Sequence, residues 1–360
     1  MKKPTLCVIF GGKSSEYEVS LRSAYGVISH IDREKYHVLR LGITQNGEWY
    51  IFDGKDEEIL KGEWQKSKVV PVTLDLTGGG LILLGDERRT VAVDLYLPIL
   101  HGEFCEDGRL QGLFDIAGAK YVGCGAFASH LCMDKILTKA VAREIGVRVA
   151  EHAIVNAKCR MQNAKWKMQN GMVNAELNVK ADCDWEITLP AFVKPAMCGS
   201  SVGVARVERA EDLPLAVEAA LEYGERALIE EEICGFEVEI GALEVDGDLI
   251  LSHVGTVKHK GIFYDYDTKY NGENEYIIPA PLDEDVAERI RENARALYFA
   301  LGCRGLARFD FFVKKNKDVV FNEVNTMPGF TEKSMFPMMF AGVGLDYAAV
   351  VDAMIKNVLG

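Results

Sequence analysis

The chain has no Cys-x-x-Cys pair and no histidine at zinc-ligand spacing, although it carries nine cysteines and seven histidines among 360 residues. Scattered cysteines in odd number argue against a disulfide framework or a zinc site, and they fit a reducing cytoplasm. No apolar run is long enough to span a bilayer. Met1-Lys2-Lys3-Pro4 runs directly into a strand-like segment, without the apolar core and small-residue cleavage site of a signal peptide. Positive charge is also short. With 41 Lys and Arg against 54 Asp and Glu, the net charge is -13 and the pI near 5.2. A partner held through its nucleic acid backbone needs a basic face to displace counterions, so this balance argues against that class while still allowing a local basic pocket. Internal repeats and low-complexity linkers are missing too, which predicts closely packed domains.

The remaining composition is that of a globular protein, 48% hydrophobic and 26% charged. A chain of this length exceeds one compact core and predicts two or three domains. Thr5 to Phe10 is a buried strand pattern, followed by Gly11-Gly12-Lys13-Ser14-Ser15-Glu16 and an amphipathic run from Val19 to His30. Strand, glycine turn and helix open a doubly wound α/β unit. The turn matches neither Gly-x-Gly-x-x-Gly nor a Walker loop, so it is either a plain tight turn or a place where backbone amides meet a ligand at a helix start. Further strands are expected at Tyr36–Ile43, Gly47–Phe52 and Val91–Leu100. The last ends in His101-Gly102 and Glu106-Asp107-Gly108 with Gln111-Gly112, polar groups where open α/β sheets bind ligands. From Met133 to Ala142 the apolar residues Met133, Ile136, Leu137, Ala140 and Val141 define one helix face. Lys135 and Lys139 fall on another, the usual pattern of a solvated surface.

Between Ala150 and Pro190 no periodicity stands out. Beyond it, Lys194-Pro195 and Gly199-Ser200-Ser201-Val202-Gly203 combine a point charge with backbone that an anion can approach closely. This is either a phosphate cradle or a hairpin turn. Asp246-Gly247 marks a second hairpin. The stretch Lys258–Tyr276, with Tyr264, Tyr266 and Tyr270 among charges and glycines, reads as a lid. Asp283 can cap a helix carrying Val286, Ile290, Ala294 and Leu297, and Gly302 can end it.

The most informative stretch is Leu306–Asn325, two β-rich arms around Lys314-Lys315-Asn316-Lys317-Asp318. A two-residue turn at Asn316-Lys317 sets Asp310 opposite Glu323 and Arg308 opposite Asn325, all on one face. Phe312 and Phe321 join them there, while Phe309, Phe311, Val320 and Val324 take the other. Facing carboxylates repel. The polar face is therefore either solvated or built around a cation, and the all-oxygen donors Asp, Glu and Asn suit magnesium.

Taken in order, these segments resemble an ATP-grasp enzyme, and more closely the D-alanine:D-alanine ligases. The resemblance rests on Gly11-Gly12-x-Ser14-x-Glu16, the His101-Gly102 segment, Met133-Asp134-Lys135, Lys194-Pro195 with the glycine-serine loop, Tyr264-Asp265-Tyr266 with Lys269-Tyr270, Arg308-Phe309-Asp310 and Asn322-Glu323-Val324-Asn325-Thr326-x-Pro328-Gly329. It implies an α/β, ATP-grasp fold of three domains: a substrate domain at 1–123 with a doubly wound parallel sheet, a central domain at 124–229, and a metal-binding domain at 230–360. ATP would lie between the last two. It further implies that Lys135, Lys194 and Lys269 hold phosphates with Ser201 in the same cradle, that Glu230 lies near adenine, and that Glu237 meets the ribose. Asp310, Glu323 and Asn325 would bind two magnesium ions, or manganese. Arg308 and the Gly329 amide would stabilise an oxyanion, and Glu16, meeting Ser200 and Tyr270, would bind the ammonium of a first D-alanine beside His101. The implied partners are ATP and two D-alanine molecules in a cytoplasmic homodimer, with neither nucleic acid nor membrane.

Two other readings stay open. A non-catalytic ATP-binding module would have lost Arg308, Glu323 or Asn325, and none is lost. A D-serine or D-lactate acceptor keeps the chemistry. The D-lactate ligases carry a histidine in the lid motif, where this chain keeps Tyr270, and the D-serine ligases tend to carry an arginine after the serine matching Ser334, where this chain has Met335.

Overall fold

The computed structural model describes residues 3–85, 89–104, 106–157, 165–169, 172–176, 186–258 and 275–360. One end of a seven-stranded sheet is made of the parallel strands His37–Ile43, Thr5–Gly11 and Leu95–Pro98, in that spatial order, with Leu95–Pro98 at the edge. Four more strands, Trp49–Phe52, Val69–Leu74, Leu81–Leu83 and Thr90–Val91, extend it antiparallel from the His37 edge. The parallel character expected of the whole sheet thus belongs to three strands. Every residue of Thr5–Gly11 is buried because its two faces meet different cores: Leu6, Val8 and Phe10 enter one, Cys7 and Ile9 the other. A strand covered on both sides reads as one apolar run. At its end Gly11 has φ +89°, and a Cβ there would lie 2.2 Å from the Ile43 carbonyl oxygen. Only glycine lets the chain turn here into the helix Tyr17–His30.

That helix buries Leu21, Ala24, Val27 and Ile28 in a core completed by Phe330, Phe336, Phe340, Val350 and Met354 from the C-terminal end of the chain. Two antiparallel sheets follow the first. Four strands run in the order Ala205–Val207, Ala191–Pro195, Arg226–Glu231, His152–Asn156; five run Glu275–Ile277, Asp248–Lys258, Gly235–Val245, Leu306–Lys314, Val319–Asn325. Lys165–Gln169, Met172–Glu176 and Glu186–Thr188 form a small sheet where the sequence showed no periodicity. Asp246 and Gly247 both have positive φ and join Val245 to Asp248, the hairpin turn their residue types predict.

Two local expectations are corrected. The run from Met133 to Ala142 is not one helix, since Ala126–Met133 ends and Lys135–Glu144 begins around Asp134, whose carboxylate caps the Ile136 and Leu137 amides. The break rotates the second helix so that Ile136, Thr138, Lys139 and Ala142 are buried and Leu137 is exposed. Lys139 is therefore interior, not part of a solvated face. Asp283 does stand at the start of Glu284–Ala300, but its side chain pairs with Lys317 at 2.6 Å and makes no cap hydrogen bond.

Candidate active site

The hairpin carries Arg308 opposite Asn325 and Asp310 opposite Glu323, as the sequence predicts, but by a different route. The turn has three residues, closed by Lys314 N to Asp318 O at 2.9 Å, with Lys317 in the left-handed region at φ +66°. A bulge between Asp310 and Phe311 on one strand leaves Asn322 without a partner on the other and makes up the difference of one residue. It also moves Phe321 from the polar face to the core, where its ring centroid is 5.5 Å from that of Phe311.

Asp310 is 2% exposed and accepts from Arg308 Nε at 2.8 Å and from a terminal guanidinium nitrogen at 2.7 Å. Asn325 Nδ2 donates to the same carboxylate at 3.3 Å. Glu239, opposite Asp310 on the strand behind, brings its Oε2 to 3.2 Å from Arg308 Nε. Glu239, Asp310 and Glu323 therefore form a row of carboxylates across three adjacent strands. Lys135 Nζ lies 3.8 Å from Glu323 and donates to the Cys198 carbonyl at 2.5 Å.

Two carboxylates and an amide, Asp310, Glu323 and Asn325, give a hard cation only oxygen to bind. No group of three or more His, Cys, Asp or Glu among the described residues gathers closely enough to hold a metal alone. That donor set fits magnesium, which takes one or two carboxylates and completes its shell with phosphate oxygens and water.

Behind the hairpin, Glu230 sits between two lysines: Oε1 is 2.7 Å from Lys139 Nζ and Oε2 is 2.6 Å from Lys194 Nζ. Burial alone would raise this carboxyl, but Lys139 and Lys194 together outweigh it and hold Glu230 well below the usual carboxylate range. Burial lowers Lys194, but Glu230, with Glu323 and Glu237 adding to it, raises it to end above an ordinary lysine.

Across the cavity the Ser200 hydroxyl donates to the Glu16 carboxylate. Ser200 and Ser201 both have positive φ, +50° and +58°, a strained run. His101 Nδ1 meets the Met327 carbonyl at 3.0 Å, which puts the proton on Nδ1 and lets Nε2 accept from Ser23 Oγ at 3.1 Å. Glu106 accepts from Gly102 N at 2.7 Å and Met327 N at 3.2 Å. Burial, then the nearby Glu16 charge, pushes it up to about 8. His101 and Glu106 thus pin Met327, the loop residue leading to Gly329.

One cavity of about 780 Å³ joins these parts, lined by Glu16, His101, Lys135, Ser200, Arg308 and Glu323, and also by Asn325, Gly329, Ser334 and Met335. Glu237 lies on the strand that carries Glu239. Lys194, Ser201, Glu230, Glu237 and Asp310 stand outside the lining. Lys269, Tyr270 and most of the expected lid lie outside the described residues.

Residues 5–124 match the family model "D-ala D-ala ligase N-terminus", and residues 145–356 match "D-ala D-ala ligase C-terminus". The chain belongs to the D-alanine–D-alanine ligase family. Similar proteins named D-alanine–D-alanine ligase occur in Corynebacterium efficiens, 38% identical over 99% of this chain and 97% of that one, and in Ruminiclostridium cellulolyticum, 38% identical over 99% and 95%. Among solved structures, the VanG D-Ala:D-Ser ligase of Enterococcus faecalis is 35% identical with a TM-score of 0.85, covering 99% of both chains. The D-alanine–D-alanine ligase of Coxiella burnetii is 27% identical with a TM-score of 0.80, covering 100% of this chain and 94% of its own.

Sequence reasoning passed over Lys139, Glu239 and the burial of Glu106. For Glu239 the signal was its two-residue spacing from Glu237, which puts both on one strand face. For Lys139 it was Asp134, a capping residue that splits the helix and shifts its buried stripe.

Proposed function

We propose that the protein joins two molecules of D-alanine into D-alanyl-D-alanine, using ATP and releasing ADP and phosphate. The observation that supports this most directly is the meeting at one cavity of Glu16, Lys135, Arg308 and Glu323, the last with Asp310 facing it. Glu16, braced by Ser200, would bind the ammonium of the first D-alanine, whose carboxylate takes the γ-phosphoryl group of ATP. Lys135, Lys194 and Lys269 would hold the phosphates, with Ser201 in the cradle, Glu230 towards adenine and Glu237 on the ribose. Asp310, Glu323 and Asn325 would hold two magnesium ions, or manganese in their place, whose charge offsets that of the phosphates during transfer. The amine of the second D-alanine then attacks the acyl phosphate, with Arg308 and the Gly329 amide stabilising the oxyanion.

The reading carries with it a cytoplasmic homodimer, with neither nucleic acid nor membrane as partner, and the three domains 1–123, 124–229 and 230–360. No helix among the described residues is long and apolar enough to cross a membrane.

The similarity to a D-Ala:D-Ser ligase structure keeps a second acceptor in view. Met335 speaks for D-alanine: it is 5% exposed, lines the cavity, and puts its sulfur 2.8 Å from where a Cβ on Gly255 would be. A thioether packs on a methyl group and is a poor partner for a hydroxyl. Phosphate release from ATP and magnesium, measured with D-alanine alone and with added D-serine or D-lactate, tests both readings. We expect D-alanine alone to suffice, and phosphate release that does not depend on D-alanine would refute the ligase.

A further inference from the structure

Glu230 is almost fully buried and shared between two lysines that differ in their freedom to move. Lys194 leaves 15% of its side chain exposed, whereas Lys139 leaves 1%. Lys139 is also tied on its far side, where Nζ donates to the Asn322 carbonyl at 3.0 Å. Asn322 is the unpaired residue of the hairpin bulge, and its strand is itself fixed by Phe321 N donating to Arg148 O at 2.8 Å. Lys139 therefore has no room to follow a ligand. Lys194 has.

A lysine that contacts phosphate must first give up part of its bond to a protein carboxylate. If that carboxylate were buried with no other partner, the loss would cancel much of the gain, because an unpaired buried charge is strongly unfavourable. We propose that Lys139 is a positioning residue for nucleotide binding: the fixed counter-cation that keeps Glu230 paired while Lys194 turns to the phosphates. The inference rests on the ligase reading only in taking a nucleotide as the ligand.

The test compares ADP with adenosine, which has no phosphate, by calorimetric titration and displacement on the full-length protein at fixed magnesium. In Lys139→Met we expect ADP affinity to fall about tenfold or more while adenosine affinity stays within about twofold. In a Glu230→Gln background, where no buried charge needs a partner, adding Lys139→Met should change the ADP-to-adenosine ratio by less than about threefold. Lys139→Gln keeps two N–H donors without the charge. It should show the same selective loss to a smaller degree, and it carries the test if the methionine variant does not fold. An unchanged ratio, an equal loss for both ligands, or a selective loss that Glu230→Gln fails to suppress would each overturn the proposal. A wild type that binds ADP but does not turn over D-alanine would overturn the ligase reading and leave this inference standing.

Discussion

Replacing Glu106 by glutamine should reshape the pH dependence of stability more than it lowers stability. The carboxyl is buried, faces the Glu16 charge, and is pushed from 4.5 up to about 8. Between those values the fold binds its proton more tightly than the unfolded chain does. Its contribution is therefore fully present below pH 4.5 and is lost as pH rises through 8. At 1.36 kcal/mol per pKa unit the wild type loses at most about 5 kcal/mol over that range from this one group. Glutamine keeps the shape and cannot ionise. It offers one acceptor where Glu106 now accepts from both Gly102 N and Met327 N, so one amide is left facing an NH2 group, at a cost of about 1–3 kcal/mol. The variant should be the weaker protein near pH 5 and at least the equal of wild type above pH 8. Urea unfolding followed by tryptophan fluorescence from pH 5 to 9 measures both curves. Parallel curves would refute the assignment of a raised carboxyl to Glu106.

Phe321→Ala should cost about 3–5 kcal/mol in urea unfolding, as for a core aromatic; a loss below about 1 kcal/mol would put the ring back on the polar face and the bulge in error. Glu323→Gln should abolish turnover and leave global stability within about 1 kcal/mol, because it removes charge from the proposed metal ligand without changing its size. Without metal the same variant should bind ADP several-fold more tightly, since Lys135 loses its carboxylate partner; retained turnover or unchanged metal-free affinity would count against the site. In a competition between equal D-alanine and D-serine, D-alanyl-D-alanine should dominate. Some D-serine product is expected, since apolar pockets reject an added hydroxyl by roughly a hundredfold at most, and mainly D-alanyl-D-serine would overturn the role given to Met335.

What was legible in the sequence was local. The Asp246-Gly247 turn, the two-sided burial of Thr5–Gly11 and the helix stripe Val286, Ile290, Ala294 and Leu297 each follow from nearby residues, and the structure repeats them. The facing of Asp310 and Glu323 was legible too, although the turn was not. A two-residue turn and a three-residue turn with one bulge give the same pairing at that point, and they differ only between the bulge and the turn, where Phe321 now pairs with Phe311 and Val320, expected on the apolar face, pairs with Phe312. What decides between them comes from far along the chain: Arg148 O takes the Phe321 amide, and Lys139 takes the Asn322 carbonyl. Buried polar partners of this kind leave no periodicity to read. Asp283 fails in the same way, since a residue type that favours capping says nothing of Lys317 waiting 2.6 Å away.

The same distant contacts explain how the site can bind a highly charged ligand without being strongly basic. In the structure Lys135 faces Glu323, Lys194 faces Glu230, and Arg308 is held by Asp310 and Glu239. A phosphate arriving there meets cations that already have partners, so binding is an exchange of one anion for another and its strength is a difference between two pairings. Exchange is favourable only where the released carboxylate is taken up by something else. Glu323 can turn to a metal ion, and Glu230 keeps Lys139. Arg308 differs: it is buried and held by two carboxylates at once, which favours an orienting role over an exchanging one. That is the arrangement the proposed role needs, a charge already aimed before the oxyanion forms.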